Sequence, residues 1–562
     1  MTGAARPSGE DAVLAIEGLT LELPRDADRR AAVEGLSLRI APGETLCVVG
    51  ESGSGKSLTA LAAMRLLPPA VRPTAGAIRL AGRDLLALTE GQMRAVRGAE
   101  IGMIFQEPMT SLNPVMRVAD QIAETFEAHG VLDRAGRRAR TLELLTEVGL
   151  PDPPRIARAY PHELSGGQRQ RVMIAMALAL EPKLLIADEP TTALDVTTQA
   201  QILKLIDNLK RVHGTAVLFI THDFGVVAEI ADRVAVLQHG LCVEEGTVAE
   251  VLDNPQHDYT KRLLAAVPSF TPPPPKPLEG RPTAFQVEGL QKTYGGTGLF
   301  GGGRKVHAAD GVSFAIRRGE TLGLVGESGS GKSTVGRCCL RLIEPDGGTI
   351  RVGDLSIREM SQAQFRPHRK RIQMVFQDPF ASLNPRRTVG RIIAEGPIAQ
   401  GMPKRDALAK ARELLGLVGL QPNAAERYPH EFSGGQRQRV GIARALALEP
   451  DVLVADEPVS ALDVSVQAQI LKLIKELQDR LGLAILFITH DLRVAAQVCD
   501  RVAVMQRGKI VELKATAALF ADPEHAYTRQ LLAAVPGAAK LDAAPVVGSA
   551  LSAGAPEAAP LP

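Results

Sequence analysis

The chain has 562 residues and a formal net charge of +2; 45% of its residues are apolar and 23% are charged. These proportions are typical of a globular protein with several domains, and they give no strongly basic field for binding nucleic acid. The chain has no tryptophan and only five tyrosines, so few aromatic rings are available to stack on bases.

No segment has the pattern of a signal peptide or a membrane span. Residues 1–11 lack the apolar core that a signal peptide needs, and we expect them to be disordered. The longest charge-free apolar run, residues 172–180, is about half as long as a membrane span. We therefore expect a protein that stays in the cytoplasm unless a partner holds it at a membrane.

The pattern G-x-x-x-x-G-K-[ST] occurs twice, each time after a short apolar run (46–49 and 322–325). The two copies consist of Gly50, Glu51, Ser52, Gly53, Ser54, Gly55, Lys56 and Ser57, and of Gly326, Glu327, Ser328, Gly329, Ser330, Gly331, Lys332 and Ser333. The glycines let successive backbone N–H groups point at phosphate oxygens, and the following helix adds the positive end of its dipole. The lysines are expected to reach the terminal phosphates and the last serines to bind Mg²⁺. The sequence therefore predicts two sites for a nucleoside triphosphate.

The repeat extends well beyond these phosphate loops. The matching segments are Gln-Glu-Pro at 106–108 and Gln-Asp-Pro at 377–379, Leu-Ser-Gly-Gly-Gln at 164–168 and Phe-Ser-Gly-Gly-Gln at 432–436, Asp-Glu-Pro at 188–190 and 456–458, and Thr-His-Asp at 221–223 and 489–491. The last three pairs share one spacing of 268 residues. A period of this length means that a complete domain has been duplicated.

Each copy is predicted to have an α/β fold. Continuous apolar runs at 184–187 and 216–220, with counterparts at 452–455 and 484–488, are typical of strands buried on both faces of a parallel sheet. Charged stretches with helical spacing lie between the glutamine segments and the Ser-Gly-Gly-Gln segments. We therefore predict an α/β core with a helical insertion, in which Ser-Gly-Gly-Gln opens a helix that runs to about Leu180.

These motifs, in this order, resemble those of the ATP-binding cassette (ABC) family over nearly all of residues 12–536. The resemblance implies ATP hydrolysis, in which the protein mainly positions groups and stabilises charge. The resemblance implies that Glu189 and Glu457 polarise the attacking water, and that His222 and His490 hydrogen-bond to the γ-phosphate. It implies that Mg²⁺ is bound by Asp188 with Ser57 and by Asp456 with Ser333. Gln106 and Gln377 are expected to contact the metal and the water. In the family the glutamines also sense the membrane partner.

The Ser-Gly-Gly-Gln signature offers a second anion site, because its hydroxyl and N–H groups lie at a helix start. The signature residues are Ser165, Gly166, Gly167 and Gln168, and Ser433, Gly434, Gly435 and Gln436. In the family this site faces the phosphate loop of the other cassette. The resemblance therefore implies head-to-tail pairing within one chain, with Lys56 opposite Ser433 and Lys332 opposite Ser165.

The resemblance also divides the chain. The expected boundaries are a disordered start (1–11), a first cassette (12–252) with its C-terminal extension (253–270), a proline-rich linker (271–282), a second cassette (283–520) with its extension (521–536), and a disordered tail (537–562). The proline run 272–275 favours a semi-rigid polyproline II spacer.

The extensions narrow the family. Residues 254–260 and 522–528 share the pattern Pro-x-His-x-Tyr-Thr, and Ser-Leu-Asn-Pro follows both glutamine segments. These patterns resemble oligopeptide, dipeptide and nickel importer ATPases, above all fused two-cassette forms such as glutathione or microcin-type peptide importers. The resemblance implies the ATPase of a peptide importer at the cytoplasmic face of the bacterial inner membrane, bound to two integral-membrane permease subunits and served by an external solute-binding protein.

Other functions remain as alternatives. Nickel or opine could be the cargo of the same kind of importer. An exporter ATPase would lack the extension, and a soluble ABC protein acting on ribosomes or DNA usually has a long charged linker or zinc-binding cysteines. The five scattered cysteines support neither a metal site, nor a disulfide framework, nor an iron–sulfur cluster in the extension. Cys338 and Cys339 are expected to be packing residues.

Two other patterns are expected to have no binding function. Gly296–Gly301 matches G-x-G-x-x-G, but without a following helix it is expected to be a flexible hairpin loop. Arg366–Arg371 is expected to be a solvated face.

Tyr294 is the candidate for stacking on adenine, since in the family an aromatic residue near this position does so. Aligning 17–19 with 288–290 places Leu23 opposite Tyr294. Leucine has no π-face, so the first site is expected to bind nucleotide more weakly.

Overall fold

The computed structural model describes residues 12–538, apart from residues 26, 28, 107–110, 192–193, 296–304, 379 and 461. Within these residues, two domains with the same succession of strands follow one another; their α-helices also correspond, except that a 3-10 helix at Pro422–Glu426 stands where the first domain has the α-helix Pro153–Arg158. The predicted α/β fold and the duplication of a whole domain are confirmed.

The first domain has ten strands and ten α-helices among the described residues. The strands are β1 (Leu14–Glu22), β2 (Ala31–Ile40), β3 (Thr45–Val49), β4 (Arg72–Leu80), β5 (Arg83–Asp84), β6 (Ile101–Ile104), β7 (Leu184–Asp188), β8 (Ala216–Ile220), β9 (Arg233–Gln238) and β10 (Leu241–Thr247). The helices are α1 (Lys56–Ala63), α2 (Glu90–Val96), α3 (Val118–Ala128), α4 (Arg134–Glu147), α5 (Pro153–Arg158), α6 (Gly166–Leu178), α7 (Val196–His213), α8 (Phe224–Ile230), α9 (Val248–Asp253) and α10 (Asp258–Ala265).

A six-stranded sheet in the order β10-β9-β3-β8-β7-β6 forms the centre of this domain. Its strands are parallel except for β10, which runs antiparallel to β9. Strands β3, β7 and β8 are buried along their whole length, as expected for a parallel sheet covered on both faces. The carboxyl ends of β3, β6, β7 and β8 meet at one edge of the sheet, which brings together the loops that carry the predicted site.

The two faces of the sheet belong to two hydrophobic cores. Leu46 and Val48 of β3 face a second sheet, antiparallel and ordered β2-β1-β4-β5. Cys47 and Val49 face the opposite way, toward the helical insertion. Because alternate side chains of β3 pack into different cores, the phosphate loop that follows β3 lies between two packed layers.

The helical insertion consists of α3 to α6 between β6 and β7. The helix α6 begins at Gly166, as the signature predicts, and ends at Leu178, two residues before the expected end. It buries Val172, Ile174 and Ala175 against the core.

The second domain repeats this arrangement. Its strands are β11 (Thr283–Tyr294), β12 (Val306–Arg317), β13 (Thr321–Val325), β14 (Gly347–Val352), β15 (Leu355–Ser356), β16 (Ile372–Val375), β17 (Val452–Asp456), β18 (Ala484–Thr489), β19 (Arg501–Gln506) and β20 (Lys509–Ala515). Its helices are α11 (Lys332–Cys339), α12 (Gln362–Phe365), α13 (Val389–Ala399), α14 (Lys404–Leu417), α15 (Gly434–Leu446), α16 (Val464–Leu481), α17 (Leu492–Val498), α18 (Thr516–Ala521) and α19 (Ala526–Ala533). The sheets have the orders β16-β17-β18-β13-β19-β20 and β12-β11-β14-β15.

The segment 271–282 is expected from its sequence to be a semi-rigid spacer. In the structure it also packs against the second domain. Lys276 donates from Nζ to Gln478 Oε1 at 2.7 Å and lies 3.5 Å from Asp479. Just before it, the ring of Phe270 packs against Phe520 with centroids 5.6 Å apart. The linker has no core of its own, and charge and apolar contacts hold it to the surface of the second domain.

Several sequence predictions concern residues outside the described part: the start (1–11), the glycine-rich loop at 296–301, and nearly all of the tail. Gly537, placed in that tail, lies against α8 of the first domain. Cys338 and Cys339 are fully buried on α11, which confirms them as packing residues. The segment 366–371 is a 3-10 turn with no buried residue, and Arg371 ion-pairs with Asp451. Among the described helices, none combines the length and apolarity that crossing a membrane requires.

Candidate functional site

Each phosphate loop lies between a buried strand and a helix, as its pattern predicts. In the first loop, Lys56 donates from Nζ to the carbonyl oxygens of Gly50 and Glu51 at 2.7 and 2.9 Å. Lys332 makes the same two bonds in the second loop, to Gly326 and Glu327, with the same lengths. Burial is the main cause that lowers the pKa of both lysines. The ammonium groups thus lie inside the curl of the loop.

The loop conformation depends on two glycines in each copy. Gly50 has φ +150°, and a Cβ there would lie 2.2 Å from the carbonyl oxygen of Leu237. Gly55 has φ +103°, and a Cβ would lie 2.7 Å from the carbonyl oxygen of Ala32. Gly326 and Gly331 are constrained in the same way. Only glycine fits at these positions, because a side chain would meet the backbone of a neighbouring segment.

The loops have the properties of phosphate sites. The hydroxyls of Ser54 and Ser330 are buried and have no hydrogen-bond partner among the described residues. The helices α1 and α11 begin without a side-chain cap, so their first N–H groups remain available. An orphaned buried hydroxyl and uncapped helix N–H groups are what a bound phosphate satisfies. The residues present therefore fit the phosphates of ATP.

A hydroxyl–carboxylate pair lies beside each loop. Ser57 donates from Oγ to Asp188 Oδ1 at 3.0 Å, and Ser333 donates to Asp456 Oδ1 at 3.0 Å. Burial raises the pKa of Asp188 to about 6, although the hydrogen bond from Ser57 opposes the shift. Burial is likewise the main cause that raises the pKa of Asp456. A buried carboxylate whose charge is disfavoured, next to a hydroxyl oxygen, is a donor set that suits Mg²⁺.

The structure brings the predicted glutamine, glutamate and histidine together in the first domain. Gln106 donates from Nε2 to Glu189 Oε2 at 2.9 Å. His222 Nδ1 lies 3.4 Å from Glu189 Oε1. Burial alone would lower the pKa of His222, but the hydrogen bond and charge of Glu189 outweigh it, so that pKa is raised.

The second domain has the same cluster. Gln377 Nε2 donates to Glu457 Oε2 at 2.8 Å, and His490 Nδ1 lies 3.2 Å from that oxygen. Burial would raise the pKa of Glu457, but the hydrogen bond with His490 is among the contacts that lower it overall. The carboxylate is therefore kept ionised, which a group that orients and polarises water requires.

Both glutamates have a left-handed backbone. The φ angle is +46° at Glu189 and +45° at Glu457. Each N–H is bonded across the sheet, to Ile220 O and Ile488 O respectively, at 2.9 Å. Such a conformation costs about 1–3 kcal/mol for a non-glycine residue and is kept where the surroundings fix it, often at functional sites. In each domain the left-handed glutamate directly follows the last residue of the strand, Asp188 of β7 or Asp456 of β17.

The signature residues form capping boxes at the starts of α6 and α15. Ser165 Oγ accepts from the N–H of Gln168, and Gln168 Oε1 accepts from the N–H of Ser165. Ser433 and Gln436 do the same. Each serine hydroxyl still has its proton to donate, so the caps are compatible with binding an anion.

Glycine at the third signature position allows close packing against the helix that follows the Asp-Glu pair. A Cβ at Gly167 would lie 2.8 Å from Thr198 Cγ2, and one at Gly435 would lie 2.3 Å from Val466 Cγ1. The signature of each domain is thereby packed against the start of α7 or α16.

Residues at the start of α16 reach the phosphate loop of the first domain. Asp463 Oδ1 accepts from the N–H of Ser52 at 2.9 Å, and Ser465 donates from Oγ to Glu51 Oε1. On the other side, Asp195 lines a crevice with Gly326 and Glu327. With each signature packed behind these residues, the arrangement is consistent with the expected head-to-tail pairing.

Sequence reasoning missed these aspartates. A signal was present, because Asp195 and Asp463 each lie six residues after the glutamate of the Asp-Glu pair. It also missed Tyr259 and Tyr527, whose hydroxyls accept from the N–H groups of Glu51 and Glu327 at 3.1 and 3.2 Å. Nothing in the sequence indicated that the extension would touch the phosphate loop.

The loops that carry His222 and His490 line one cavity of about 140 Å³ between the domains. Arg493 and Pro536 also line this cavity, and Arg493 donates from Nη2 to Pro536 O at 2.8 Å. The two histidine loops therefore lie at a common interface between the domains.

Tyr294 ends β11, and 41% of its surface is exposed. Strand pairing places Glu22 opposite Ala31 and Thr293 opposite His307, in line with the alignment of Leu23 with Tyr294. Leu23 packs against the hydrophobic core instead of facing solvent. The two sites thus differ where an adenine ring could stack.

Comparison with known proteins adds the family. Residues 33–192 and 309–460 match the ABC transporter family, and residues 243–292 and 511–553 match the C-terminal region of oligopeptide/dipeptide transporters. The chain is 50% identical over 558 residues to glutathione import ATP-binding proteins GsiA of Shigella dysenteriae, Escherichia coli K12 and Salmonella paratyphi A, with 93% of this chain and 89% of each relative covered. A solved dimeric ATP-binding cassette with bound ADP and Pi is 29% identical, with a TM-score of 0.38 over 41% of this chain and 98% of that chain. The chain belongs to the ABC transporter family and is an ATP-binding ATPase with two cassettes, each followed by an oligopeptide/dipeptide transporter C-terminal region.

Proposed function

We propose that this chain is the energy-coupling ATPase of a bacterial importer for small peptides, of which glutathione is the favoured cargo. The observation that carries the proposal is the similarity to glutathione import ATP-binding proteins, which covers both cassettes and both extensions. Because a cassette ATPase does not itself contact the cargo, dipeptides, oligopeptides, nickel and opines are the alternatives. An ATPase acting on ribosomes or DNA is disfavoured, since the C-terminal region of peptide transporters follows each cassette.

In the proposed mechanism, Glu189 and Glu457 orient and polarise the water that attacks the γ-phosphate of ATP. The hydrogen bond from Gln106 and the contact with His222 hold the Glu189 carboxylate, and Gln377 and His490 hold that of Glu457. These groups position the nucleophile, which is the main protein contribution to phosphoryl transfer.

The phosphate loops bind the triphosphate, with Ser54 and Ser330 as additional donors inside the cradle. Mg²⁺, when bound, neutralises charge on the phosphate oxygens. Ser57 with Asp188, and Ser333 with Asp456, would hold it, and Gln106 and Gln377 lie beside the same sites. We propose that the signature of each cassette completes the site of the other, so that ATP binding closes the interface and hydrolysis reopens it.

Two integral-membrane permease subunits are the proposed partners, at the cytoplasmic face of the inner membrane, with an external solute-binding protein that delivers the cargo. Phe105 and Phe376, which precede the two glutamines, are each 37% exposed, and Phe380 is 61% exposed. Exposed aromatic side chains beside Gln106 and Gln377 support a contact with another protein at these positions. The net charge of +2 and the absence of tryptophan argue against nucleic acid as a partner.

The domain boundaries are part of the proposal. The cassettes span 12–252 and 283–520, their extensions span 253–270 and 521–536, and the linker spans 271–282. Residues 1–11 and 537–562 lie outside them.

An uptake experiment tests the function. Cells that lack this chain are supplied with the wild type or with Glu457→Gln, and uptake of radiolabelled glutathione, a dipeptide and nickel is measured. Restored uptake of glutathione or a dipeptide by the wild type alone supports the proposal. Restored uptake of nickel alone would move the assignment to the alternative, and restoration by Glu457→Gln would contradict the proposed catalytic role.

A further inference from the structure

The extension after each cassette is fixed by a carboxylate of the antiparallel edge strand. Glu244 of β10 accepts from the N–H groups of Gln256 and His257 at 2.6 and 3.1 Å. Glu512 of β20 accepts in the same way from Glu524 and His525 at 2.8 and 3.0 Å. Each extension helix therefore starts at a position that is set by the sheet of its own cassette.

The histidine and tyrosine of the extension then have separate tasks. His257 caps α10, because its Nδ1 accepts from the N–H of Tyr259 at 3.2 Å. One turn of helix later, Leu263 packs in the same core as the parallel sheet. Tyr259 is consequently held in the first turn, with only 4% of its surface exposed.

The tyrosine hydroxyl lies at the phosphate loop. Tyr259 Oη accepts from the N–H of Glu51 at 3.1 Å, and Tyr527 Oη accepts from the N–H of Glu327 at 3.2 Å. Burial is the main cause that raises the pKa of both tyrosines to about 12, so both hydroxyls stay protonated at neutral pH. The same contact occurs in both cassettes, whose tyrosines are 268 residues apart.

Glu51 belongs to the limb of the loop that faces the other cassette. Its carboxylate accepts from Ser465, and the next N–H, of Ser52, donates to Asp463. The residues that surround the phosphate position, Ser54 to Ser57, form the other limb. The Glu51 carbonyl also accepts from Lys56, which Gly50 holds as well, so a group that fixes Glu51 acts chiefly on the contact between the cassettes.

We propose that Tyr259 and Tyr527 are positioning residues that hold the first limb of each phosphate loop in the conformation on which the opposite cassette closes. The extension thereby becomes part of the ATPase machinery. The proposal rests on the proposed need for closed cassettes in hydrolysis. It predicts that losing the hydroxyl impairs turnover and leaves nucleotide binding to the open cassette intact.

The test compares Tyr259→Phe, Tyr527→Phe and the wild-type full-length chain. Steady-state ATPase activity gives kcat, and titration with a fluorescent ADP analogue gives the affinity of the open sites. We expect kcat to fall about fivefold, the effect of one lost hydrogen bond, while ADP affinity stays within about twofold. Tyr428→Phe is the control for removing a tyrosine hydroxyl, since 42% of the surface of Tyr428 is exposed; it should leave both values unchanged.

A purely structural role is distinguished by Leu263→Ala, which loosens the extension without removing a hydroxyl. That variant should lower the melting temperature, whereas Tyr259→Phe should melt close to the wild type. If Tyr259→Phe left kcat unchanged, or lowered stability and ADP affinity together with kcat, the positioning role would be wrong.

A double-mutant cycle makes the test specific to the interface. Tyr259 and Asp463 act on the same loop, so the effects of Tyr259→Phe and Asp463→Ala on kcat should be less than additive. Tyr527 lies on the other loop, so Tyr527→Phe and Asp463→Ala should be additive. Additive effects for the first pair would overturn the proposal. Unchanged turnover in Glu457→Gln would refute the catalytic assignment instead, and the two failures are therefore separable.

Discussion

Asp463 of the second cassette accepts a hydrogen bond at 2.9 Å from the backbone N–H of Ser52 on the phosphate loop of the first. Its carboxylate makes no capping bond to its own helix α16, all of which is described. The equivalent Asp195 instead accepts from the N–H and the hydroxyl of Thr198 at 2.9 and 3.1 Å. Val466 stands where the first cassette has Thr198, and it has no hydroxyl to hold the aspartate. Two residues that are equivalent in sequence therefore have different partners.

This difference predicts opposite effects of one substitution. Asp195→Ala removes a helix cap and should destabilise the first cassette by about 1 kcal/mol. Asp463→Ala should leave stability nearly unchanged and should lower kcat, because it removes a contact between the cassettes. Thermal unfolding and ATPase assays on the two variants check this. A larger loss of stability in Asp463→Ala than in Asp195→Ala would contradict it.

Replacing either of the glutamates proposed to polarise water should slow turnover and preserve binding. Glu189→Gln and Glu457→Gln keep the shape and neighbours of the side chain but remove the charge that polarises water. We expect each to slow hydrolysis about 100-fold or more, as is typical when a general base is lost, while ATP still binds. Phosphate release and nucleotide titration measure the two quantities. If one variant hydrolysed ATP at the wild-type rate, that site would be non-catalytic.

The two sites should differ in their affinity for adenine nucleotides. Tyr294→Leu should weaken binding at the second site about tenfold, and Leu23→Tyr should strengthen binding at the first, since stacking on an aromatic ring contributes about 1–3 kcal/mol. Titration of the full chain with a fluorescent nucleotide resolves two affinities if they differ. A single affinity in the wild type that Tyr294→Leu does not change would argue against the stacking role.

Gly225 of the first domain lies close to Pro536 and Arg493, at the interface between the domains. A Cβ at Gly225 would lie 2.7 Å from Pro536 O and 3.3 Å from Arg493 Nη1. Gly225→Ala should therefore lower the melting temperature by about 2–4 °C for each kcal/mol of stability lost. Gly416 is the matched control, because it lies in helix α14 and a Cβ added there would have no neighbouring atom within 4 Å. Gly416→Ala should raise stability by about 0.5–1 kcal/mol. Equal effects of both substitutions would refute this account.

The sequence alone was sufficient for the local features of each site. The phosphate loops, the buried strands β7 and β17, and the helix starts at Ser165 and Ser433 follow from residue types and spacing within a few neighbouring positions. Such features depend on backbone freedom at glycine, on apolar runs and on capping hydroxyls, which act over short distances along the chain.

The tertiary structure decided which distant residues meet. Gln106 and Glu189 lie 83 residues apart, Tyr259 and Glu51 lie 208 apart, and Asp463 and Ser52 lie 411 apart. For Gln106 and Glu189, the resemblance to the ABC family implied one site. The structure brings the two side chains together because they follow neighbouring parallel strands whose ends meet at one edge. For Tyr259 and Asp463 no local pattern indicated a partner. Their positions are set by how the extension packs on its own sheet and how the two cassettes fit together, and neither depends on spacing along the chain.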